Sequence, residues 1–427
     1  MEEPALLVAA LALLGYALLS RRLGHWWISM PAAMVVIGLL VGPVGLGLIE
    51  GDVHSELVKT VAELTLALML FHDAVRIDLR ALRVDRSVPL RLLGIGLPLM
   101  IVIGTAIAYL VFPAFGLVGA ALVATMLAPT DAALGEAVVS DERVPVRIRQ
   151  GLNVESGLND GLSVPIFLVL LALAADPSGA DRGALVTQLV QQIGLGVLSG
   201  VIIGGGGGAL FRLASRNGLM AQVWRRIAIV ALALGSFVCA AVLGGSGFIG
   251  AFVGGLAFGV VAEARSPEDN SLTEYLGTIF DALSFLLLGT AVIPFVLNSL
   301  DWAMVLYAVM SLIVIRMIAV VLAMLRSGAR WHTVAFMGWF GPRGLATLVF
   351  AVLVIDENIA NGAAIASAAV VGVVLSVFAH GLTAPPLVAA YSNWWRAHPR
   401  TGAAPMEEEH VHEHYVGRGL GRDIGSG

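Results

Sequence analysis

Strongly apolar stretches of about 20 residues, separated by short polar segments, recur along the whole 427-residue chain. A helix that crosses a bilayer needs a stretch of this length, so the pattern predicts about thirteen membrane-spanning helices. The first stretch follows Glu2 and Glu3 rather than basic residues, which favours a spanning helix over a cleaved signal peptide. The approximate spans are 4–20, 29–49, 56–75, 88–112, 116–140, 147–175, 184–211, 223–243, 246–263, 274–297, 301–325, 333–355 and 361–391.

Composition supports a polytopic membrane protein. Hydrophobic residues make up 58% of the chain and charged residues 13%, outside the range of soluble globular proteins. The single cysteine, Cys239, excludes a disulfide framework and a cysteine-based metal cluster. The glycine run 204–208 lies within an apolar span, where close helix packing is its ordinary role, so we expect no nucleotide site. We also expect no nucleic-acid partner, no bound cofactor and no enzymatic activity.

Arginine is concentrated in alternate loops. Loops rich in Arg and Lys stay on the cytoplasmic side of a membrane, whereas the other loops of this chain hold little beyond Lys59 and Arg182. The alternation predicts an N-terminus outside and a C-terminus inside, in the cell membrane. The arginine-rich loops and tail contain Arg21, Arg22, Arg76, Arg80, Arg83, Arg86, Arg143, Arg147, Arg149, Arg212, Arg216, Arg225, Arg226, Arg265, Arg326, Arg330, Arg396 and Arg400.

Two spans contain proline or glycine breaks at corresponding positions. Pro129 removes a backbone donor and disfavours helical geometry at the residue before it, so the fifth span should break at 128–131. The twelfth span has the same device at 341–344. If the halves are spans one to six and eight to thirteen, the two breaks are equivalent, as in inverted-repeat transporters with crossed, discontinuous helices. Carbonyls freed at such breaks are possible cation ligands; a simple kink in each helix is the alternative.

The sixth span is rich in polar residues. Ser156 and Asp160 share one helix face, and Glu155 and Asn159 share the neighbouring face, because residues four apart align on a helix. We expect Ser156 and Asp160 to offer oxygens to a cation, joined by residues of the fifth-span break. Glu155 and Asn159 would face structural partners.

Asp160 is the predicted shared site for a proton and a cation. Desolvation favours the neutral form of a carboxylate and a cation favours the ionised form, so the two ligands compete for one group. Thr130 and Asp131 would complete the Na⁺ ligands, although an Asp at a helix break can instead cap the next half-helix. Asp73, at the cytoplasmic end of the third span, either reaches the site or forms a surface salt bridge.

Two arginines lie inside apolar spans. Arg316 is in the middle of the eleventh span and Arg343 is in the twelfth-span break. A buried guanidinium is always charged and needs an acidic or carbonyl partner. Both residues are candidate counter-charges for Glu155.

Three motifs, at 128–131, 153–161 and 338–344, occur in order in these spans. In them the chain resembles the monovalent cation:proton antiporter-1 family of Na⁺/H⁺ antiporters and sodium–hydrogen exchangers, over residues 4–392. The resemblance implies homodimers, exchange of Na⁺ (or Li⁺) for H⁺ by alternating access, and Asp160 as the essential carboxylate. It implies that Asn159 accompanies electroneutral one-for-one exchange. The implied supporting roles are cation coordination by Thr130, Asp131 and Ser156, and an ion pair between Glu155 and Arg343.

The same resemblance implies a division of the membrane domain, residues 1–392. Spans at 88–175 and 301–391 would form a core that moves against a dimerisation scaffold at 4–75 and 184–297. The short cytoplasmic tail, 393–427, is acidic and histidine-rich at 407–414, which is typical of a disordered end.

Other functions are compatible with parts of the pattern. A K⁺/H⁺ antiporter of the same fold is the main alternative, because cation selectivity depends on distances that the sequence does not give. Buried oxygens could also line a cation channel, which would show single-channel currents. An organic-solute:proton transporter and an intramembrane hydrolase are further alternatives, although the core spans offer no histidine ligands for a catalytic metal.

Overall fold

The computed structural model describes residues 3–49, 51–77, 87–131, 133–176, 182–262, 267–397 and 406–408. Within these ranges the regular elements are helices, eight of which are long and apolar enough to cross a membrane. We number them α1 to α13, with two broken helices. They are α1 Glu3–His25, α2 Met30–Val41, α3 Glu56–Arg76, α4 Ser87–Val111, α5a Gly116–Met126, α5b Glu136–Val139, α6 Val146–Ala175, α7 Gly183–Arg216, α8 Gln222–Val242, α9 Gly247–Val261, α10 Ser271–Leu297, α11 Trp302–Ala323, α12a Trp331–Trp339, α12b Leu345–Asp356 and α13 Gly362–Ala397.

The predicted all-helical, polytopic architecture is confirmed, and the helices follow the predicted order. The largest difference is α2, which ends at Val41 instead of near residue 49. Gly42 adopts extended backbone there and Pro43 follows, so the helix cannot continue. Conversely, α13 continues to Ala397 through Pro385 and Pro386. Tail residues 398–405 and 409–427 lie outside the described residues, so the prediction of disorder there stays a prediction.

Four helices contain a π-helical turn that the apolar pattern did not predict. These turns are Leu92–Gly96 in α4, Val201–Gly206 in α7, Leu288–Val292 in α10 and Ser311–Ile315 in α11. A π turn holds an extra residue and occurs often at functional sites. The turns in α4 and α11 lie in helices that occupy the same place in the order of the two halves, and each turn contacts the other helix.

The glycine run in α7 packs against α9. A β-carbon on Gly204 would overlap the backbone carbonyl of Gly254, and one on Gly200 would lie 2.7 Å from the carbonyl oxygen of Gly250. The two backbones therefore approach too closely for any side chain at these positions. This is the helix-packing role of small residues in membrane proteins.

Contacts between loops gather at the two ends of the bundle. At one end, Arg91 donates to the carbonyls that follow α11, and Arg147 donates to Met406 of the tail at 2.6 Å. Arg330 donates its backbone N–H to Glu407. Arg147 and Arg330 come from the loops that the charge pattern predicts to be cytoplasmic, and Arg91 lies near the start of the predicted fourth span beside one of them. At the other end, Lys59 of α3 forms an ion pair with Asp356 at the end of α12b.

Candidate functional site

The break in α5 is held by side chains of α12. Thr347 donates its hydroxyl hydrogen to the carbonyl of Met126, the last residue of α5a, at 2.6 Å. The Arg343 guanidinium donates to the carbonyls of Ala128 and Pro129 at 2.7 and 3.0 Å. These carbonyls, expected from the sequence to be open to a cation, are instead partners of a buried cationic side chain. The reason is that a guanidinium deprived of water needs acceptors.

Asp131 connects the two breaks. Its Oδ1 accepts hydrogen bonds from the N–H groups of Ala133 and Leu134, and its Oδ2 accepts one from Leu345, the first residue of α12b. Its own N–H donates to the carbonyl of Pro342 at 2.8 Å. A carboxylate at the start of a half-helix satisfies free amide groups and complements the helix dipole. The structure thus gives Asp131 the capping role, and the predicted cation-ligand role stays a prediction.

The buried ion pair of the core differs from the one that the resemblance implied. Glu155 pairs with Arg316, with Nη1–Oε1 at 2.9 Å and Nη2–Oε2 at 3.1 Å, and not with Arg343. Arg316 also donates to the carbonyls of Met337 and Phe340, at the end of α12a. Both members of the pair are about 1% exposed. The structure therefore selects one of the two arginines that the sequence left open, and Arg343 serves the α5 break.

A network of short polar side chains joins α6 to the α5 break. The hydroxyls of Thr130 and Ser156 lie 2.9 Å apart, and the Asn159 amide donates to the Thr130 hydroxyl at 2.7 Å. Asn159, which we expected to face structural partners, thus contacts a threonine that we predicted to be a cation ligand. Asn159 approaches the same threonine from the next helix turn, because the unwound backbone brings Thr130 between the two faces.

Asp160 follows this network on α6. The side chain is partly buried, and no described residue hydrogen-bonds to its Oδ1 atom, which is shielded from solvent. The Asn159 Oδ1 atom is in the same situation. Each of these two buried oxygens lacks a donor among the described residues, and a carboxylate oxygen in that situation is a candidate for binding a proton or a cation.

Three carboxylates converge on this region. Asp131 and Asp73 are the acidic groups that act electrostatically on Asp160. Asp73 comes from α3, where its β-carbon lies 3.4 Å from the position that a side chain on Gly157 would occupy. The structure thus brings together Asp73, Asp131 and Asp160, three of the residues predicted from the sequence.

Sequence reasoning missed the polar residues of α13 that support the α12 break. Ser376 accepts a hydrogen bond from the Arg343 N–H at 2.6 Å, and His380 Nε2 lies 2.9 Å from the carbonyl oxygen of Trp339. Thr383 accepts a hydrogen bond from the Trp339 indole. Their spacing of four and three residues within an apolar span was the available signal, because it places them on one helix face.

Comparison with known proteins identifies the family. A family model described as "Sodium/hydrogen exchanger, transmembrane" matches residues 8–390. The chain belongs to the sodium/hydrogen exchanger family. This membership confirms the resemblance drawn from the three motifs, and it makes the chain a multi-pass membrane protein.

The names of individual relatives in the exchanger family specify different cations. The chain is 28% identical over 362 residues to the K⁺/H⁺ antiporter NhaP2 of Shewanella oneidensis, covering 82% of this chain and 59% of the relative. It is 24% identical over 343 residues to a Na⁺/H⁺ antiporter of Schizosaccharomyces pombe, covering 74% and 72%. The chain thus spans about three fifths of the length of the bacterial relative.

A solved exchanger-family structure has the same fold. The sodium proton antiporter MjNhaP1 from Methanocaldococcus jannaschii superposes with a TM-score of 0.70 at 20% identity, covering 89% of this chain and all of that chain. At this identity the match establishes the architecture and leaves the chemistry to the residues described above.

Proposed function

We propose that this chain exchanges a monovalent cation for a proton across the cell membrane. The observation that carries the proposal is the buried Oδ1 atom of Asp160, to which no described residue donates a hydrogen bond. The atom lies on α6 beside the crossing of the two broken helices. A carboxylate with one oxygen shielded in this way binds either a proton or a cation, and binding of one opposes binding of the other. Such competition couples the two fluxes.

The proposed cation ligands are oxygens around Asp160. Thr130 and Ser156 contribute hydroxyls that already face each other at 2.9 Å. Asn159 contributes an amide oxygen without a described donor. Hard cations such as Na⁺, Li⁺ and K⁺ bind oxygen ligands of this kind. Asp131 and Asp73 add negative charge nearby, which raises the local concentration of cations.

Transport proceeds by alternating access in this proposal. The core (α4–α6 and α11–α13) is tied together by Arg316, Arg343 and Asp131, each of which connects different segments of it. The scaffold (α1–α3 and α7–α10) contacts the core through α3 and α9. A rigid core that shifts against the scaffold would expose Asp160 to each side in turn. We further propose that the protein acts as a homodimer.

The proposed cation is Na⁺ or Li⁺, with K⁺ as the alternative that the names of the bacterial relatives support. The proposed stoichiometry is one for one, because Asn159 stands where a second carboxylate would hold an extra proton. The proposed orientation has the arginine-rich loops and the C-terminus in the cytoplasm. The contacts of Arg147 and Arg330, from two arginine-rich loops, with tail residues Met406 and Glu407 support this orientation.

Proteoliposomes with an internal pH dye test the exchange. Adding Na⁺, Li⁺ or K⁺ outside should move protons with saturation, and the order of the responses gives the selectivity. Asp160→Asn should abolish the signal, whereas Asp141→Asn, a carboxylate in a loop, should retain it. Exchange at the normal rate by the Asp160→Asn protein would end the proposal. Permeant thiocyanate, which collapses a membrane potential, should leave the rate unchanged if the exchange is electroneutral.

A further inference from the structure

The side of α13 that faces α12 carries three polar residues within a mostly apolar part of the helix. Ser376, His380 and Thr383 follow one another at helical spacing, and Ser376 and His380 are at most 1% exposed. Buried polar groups persist where they satisfy one another or a free backbone group. We propose that His380, acting with Ser376, is a positioning residue of the transport site. Together the two side chains hold the two ends of the α12 break in fixed positions relative to each other. The inference rests on the proposed function.

The contacts form a continuous chain across the break. His380 Nε2 lies 2.9 Å from the carbonyl oxygen of Trp339, the last residue of α12a. On the other side of the ring, Nδ1 lies 3.1 Å from the Ser376 hydroxyl and 3.0 Å from the Ser376 carbonyl. That hydroxyl accepts the N–H of Arg343 at 2.6 Å, just before α12b begins. The five-residue interruption, 340–344, is thus bridged by two side chains of one neighbouring helix.

Both ring nitrogens of His380 face a carbonyl oxygen, that of Trp339 at Nε2 and that of Ser376 at Nδ1, and a neutral ring can donate to only one of them. We assign the hydrogen to Nε2, because this tautomer donates to Trp339 and leaves Nδ1 to accept from the Ser376 hydroxyl. A neutral ring then has a lone pair on Nδ1, and the Ser376 hydroxyl is the group that can donate to it. A neutral imidazole also avoids adding a third cation beside Arg316 and Arg343, which both act electrostatically on His380.

The chain of contacts reaches the site through Arg343. The backbone N–H of Arg343 is fixed by Ser376, and its guanidinium holds the carbonyls of Ala128 and Pro129. The next residue in the α5 break is Thr130, whose hydroxyl meets Ser156 and Asn159. Loss of the His380–Ser376 bridge would therefore move the hydroxyl that we assign to the cation, although His380 itself touches no transported ion.

The matched control is on the same face of α13. The Thr383 hydroxyl accepts a hydrogen bond from the Trp339 indole at 3.0 Å. Thr383 therefore contacts the side chain of Trp339, whereas His380 contacts its backbone carbonyl. Thr383→Val removes that bond with little change of volume. A general weakening of the α12–α13 contact would affect Thr383→Val and His380→Leu alike, whereas a positioning role affects the histidine alone.

The transport test measures the apparent KM for the cation separately from the maximal rate, using the full chain in proteoliposomes. His380→Leu should raise the KM about tenfold, the effect of losing one buried hydrogen bond. His380→Gln keeps an amide donor near the position of Nε2, so its KM should return to within about threefold of wild type. Thr383→Val should keep the wild-type KM. A normal KM in His380→Leu, with only the maximal rate reduced, would overturn the proposal.

Hydrogen–deuterium exchange tests the positioning without relying on transport. Ser376→Ala removes the acceptor of the Arg343 N–H, so peptides covering 340–346 should exchange faster. Peptides covering 128–136 should follow, because Arg343 and Leu345 hold that segment. Unchanged exchange at 128–136 would overturn the proposal even if transport were lost. If the wild-type chain transported no cation but Ser376→Ala still produced these changes in hydrogen–deuterium exchange, the proposed function would be wrong and the positioning role of the His380–Ser376 bridge would remain supported.

Discussion

Glu155 and Arg316 form a two-pronged ion pair between α6 and α11, with both side chains withdrawn from solvent. The Nη2 group also donates to the carbonyls of Met337 and Phe340, at the end of α12a. One arginine therefore joins three helices of the core. Removing a single partner would leave an uncompensated charge in a region of low dielectric constant, which costs far more than the pair contributes as a whole.

We predict that Arg316→Ala lowers the free energy of unfolding by about 3–5 kcal/mol, the usual effect of breaking a buried pair. Glu155→Ala should have a similar effect, and the double variant should lose much less than the sum, because the two charges disappear together. Thermal unfolding of the purified protein in detergent measures all three. Additive losses would contradict the pairing.

The control for this prediction is the loop pair Asp141 and Arg143. Their side chains meet at 2.6 Å, but the arginine is half exposed, and exposed pairs add little stability. Arg143→Ala should therefore leave the melting temperature nearly unchanged. A loss as large as that of Arg316→Ala would show that the assay reports general charge removal rather than the buried pair.

The same loop pair gives a pH prediction. Hydrogen bonding and attraction by Arg143 hold the pKa of Asp141 below its usual value. A carboxylate with a lowered pKa stabilises the fold at pH values above its unfolded pKa, and loses this effect only as the pH falls below about 4. Asp141→Asn should thus leave the pH profile of exchange between pH 6 and 9 unchanged. A shifted profile would give this loop a role in pH sensing.

Gly344 offers a steric test of the crossing between the breaks. A β-carbon on Gly344 would overlap Asp131 Oδ2, the atom that caps α12b. Gly344→Ala should therefore displace the cap and reduce exchange at least about tenfold, since the cost exceeds that of one buried hydrogen bond. Gly94→Ala, in the π turn of α4, is the control, because a β-carbon there meets no atom within 4 Å. Equal losses in both variants would rule out the steric explanation.

The ion pair of Lys59 with Asp356 joins the scaffold to the core at the proposed outer face. If the core moves against the scaffold, this pair must break during each cycle. An exposed pair contributes about 0.2–1 kcal/mol, so Lys59→Met should change the maximal rate by only about two- to fivefold, without changing the KM. The exchanged pair Lys59→Asp with Asp356→Lys should restore the wild-type rate. If the exchanged pair did not restore the wild-type rate, the effect of Lys59→Met would not come from loss of the ion pair.

Cysteine labelling tests the orientation. In a Cys239→Ser background, a cysteine at Glu357 should react in intact cells with a membrane-impermeant maleimide, and one at Glu142 should not. Both positions are exposed in loops at opposite ends of the bundle, so access to the thiols is equal once the membrane is opened. Permeabilised cells provide that control. The reverse pattern would place the C-terminus outside.

The helix breaks were predictable from sequence because proline and glycine act locally. Pro129 and Pro342 lack a backbone donor, and the glycines beside Pro342 weaken the helix further, so breaks in α5 and α12 were expected there. Proline alone is not sufficient, because α13 continues through Pro385 and Pro386. The spacing of Ser156 and Asp160 likewise placed both side chains on one face of α6. These inferences needed no knowledge of which helix lies beside which.

The choice of partners could not be predicted, because it depends on how the helices cross. Arg316 and Arg343 both lie in apolar spans and were equally plausible partners of Glu155. In the structure Glu155 pairs with Arg316, because α11 approaches α6. Arg343 instead points into the α5 break. His380 was missed for a related reason. Its partner is the carbonyl of Trp339, and a carbonyl leaves no signal in a sequence.

The π turn Ser311–Ile315 comes immediately before Arg316. One additional residue in a helix rotates everything beyond it by about 100°. The direction of the Arg316 guanidinium therefore depends on the extra residue in the π turn as well as on the side chains around the arginine. Two residues of this turn, Ile313 and Val314, are exposed on the surface of the bundle. Deleting a single residue from this apolar π turn would turn Arg316 away from Glu155 without altering either charged side chain.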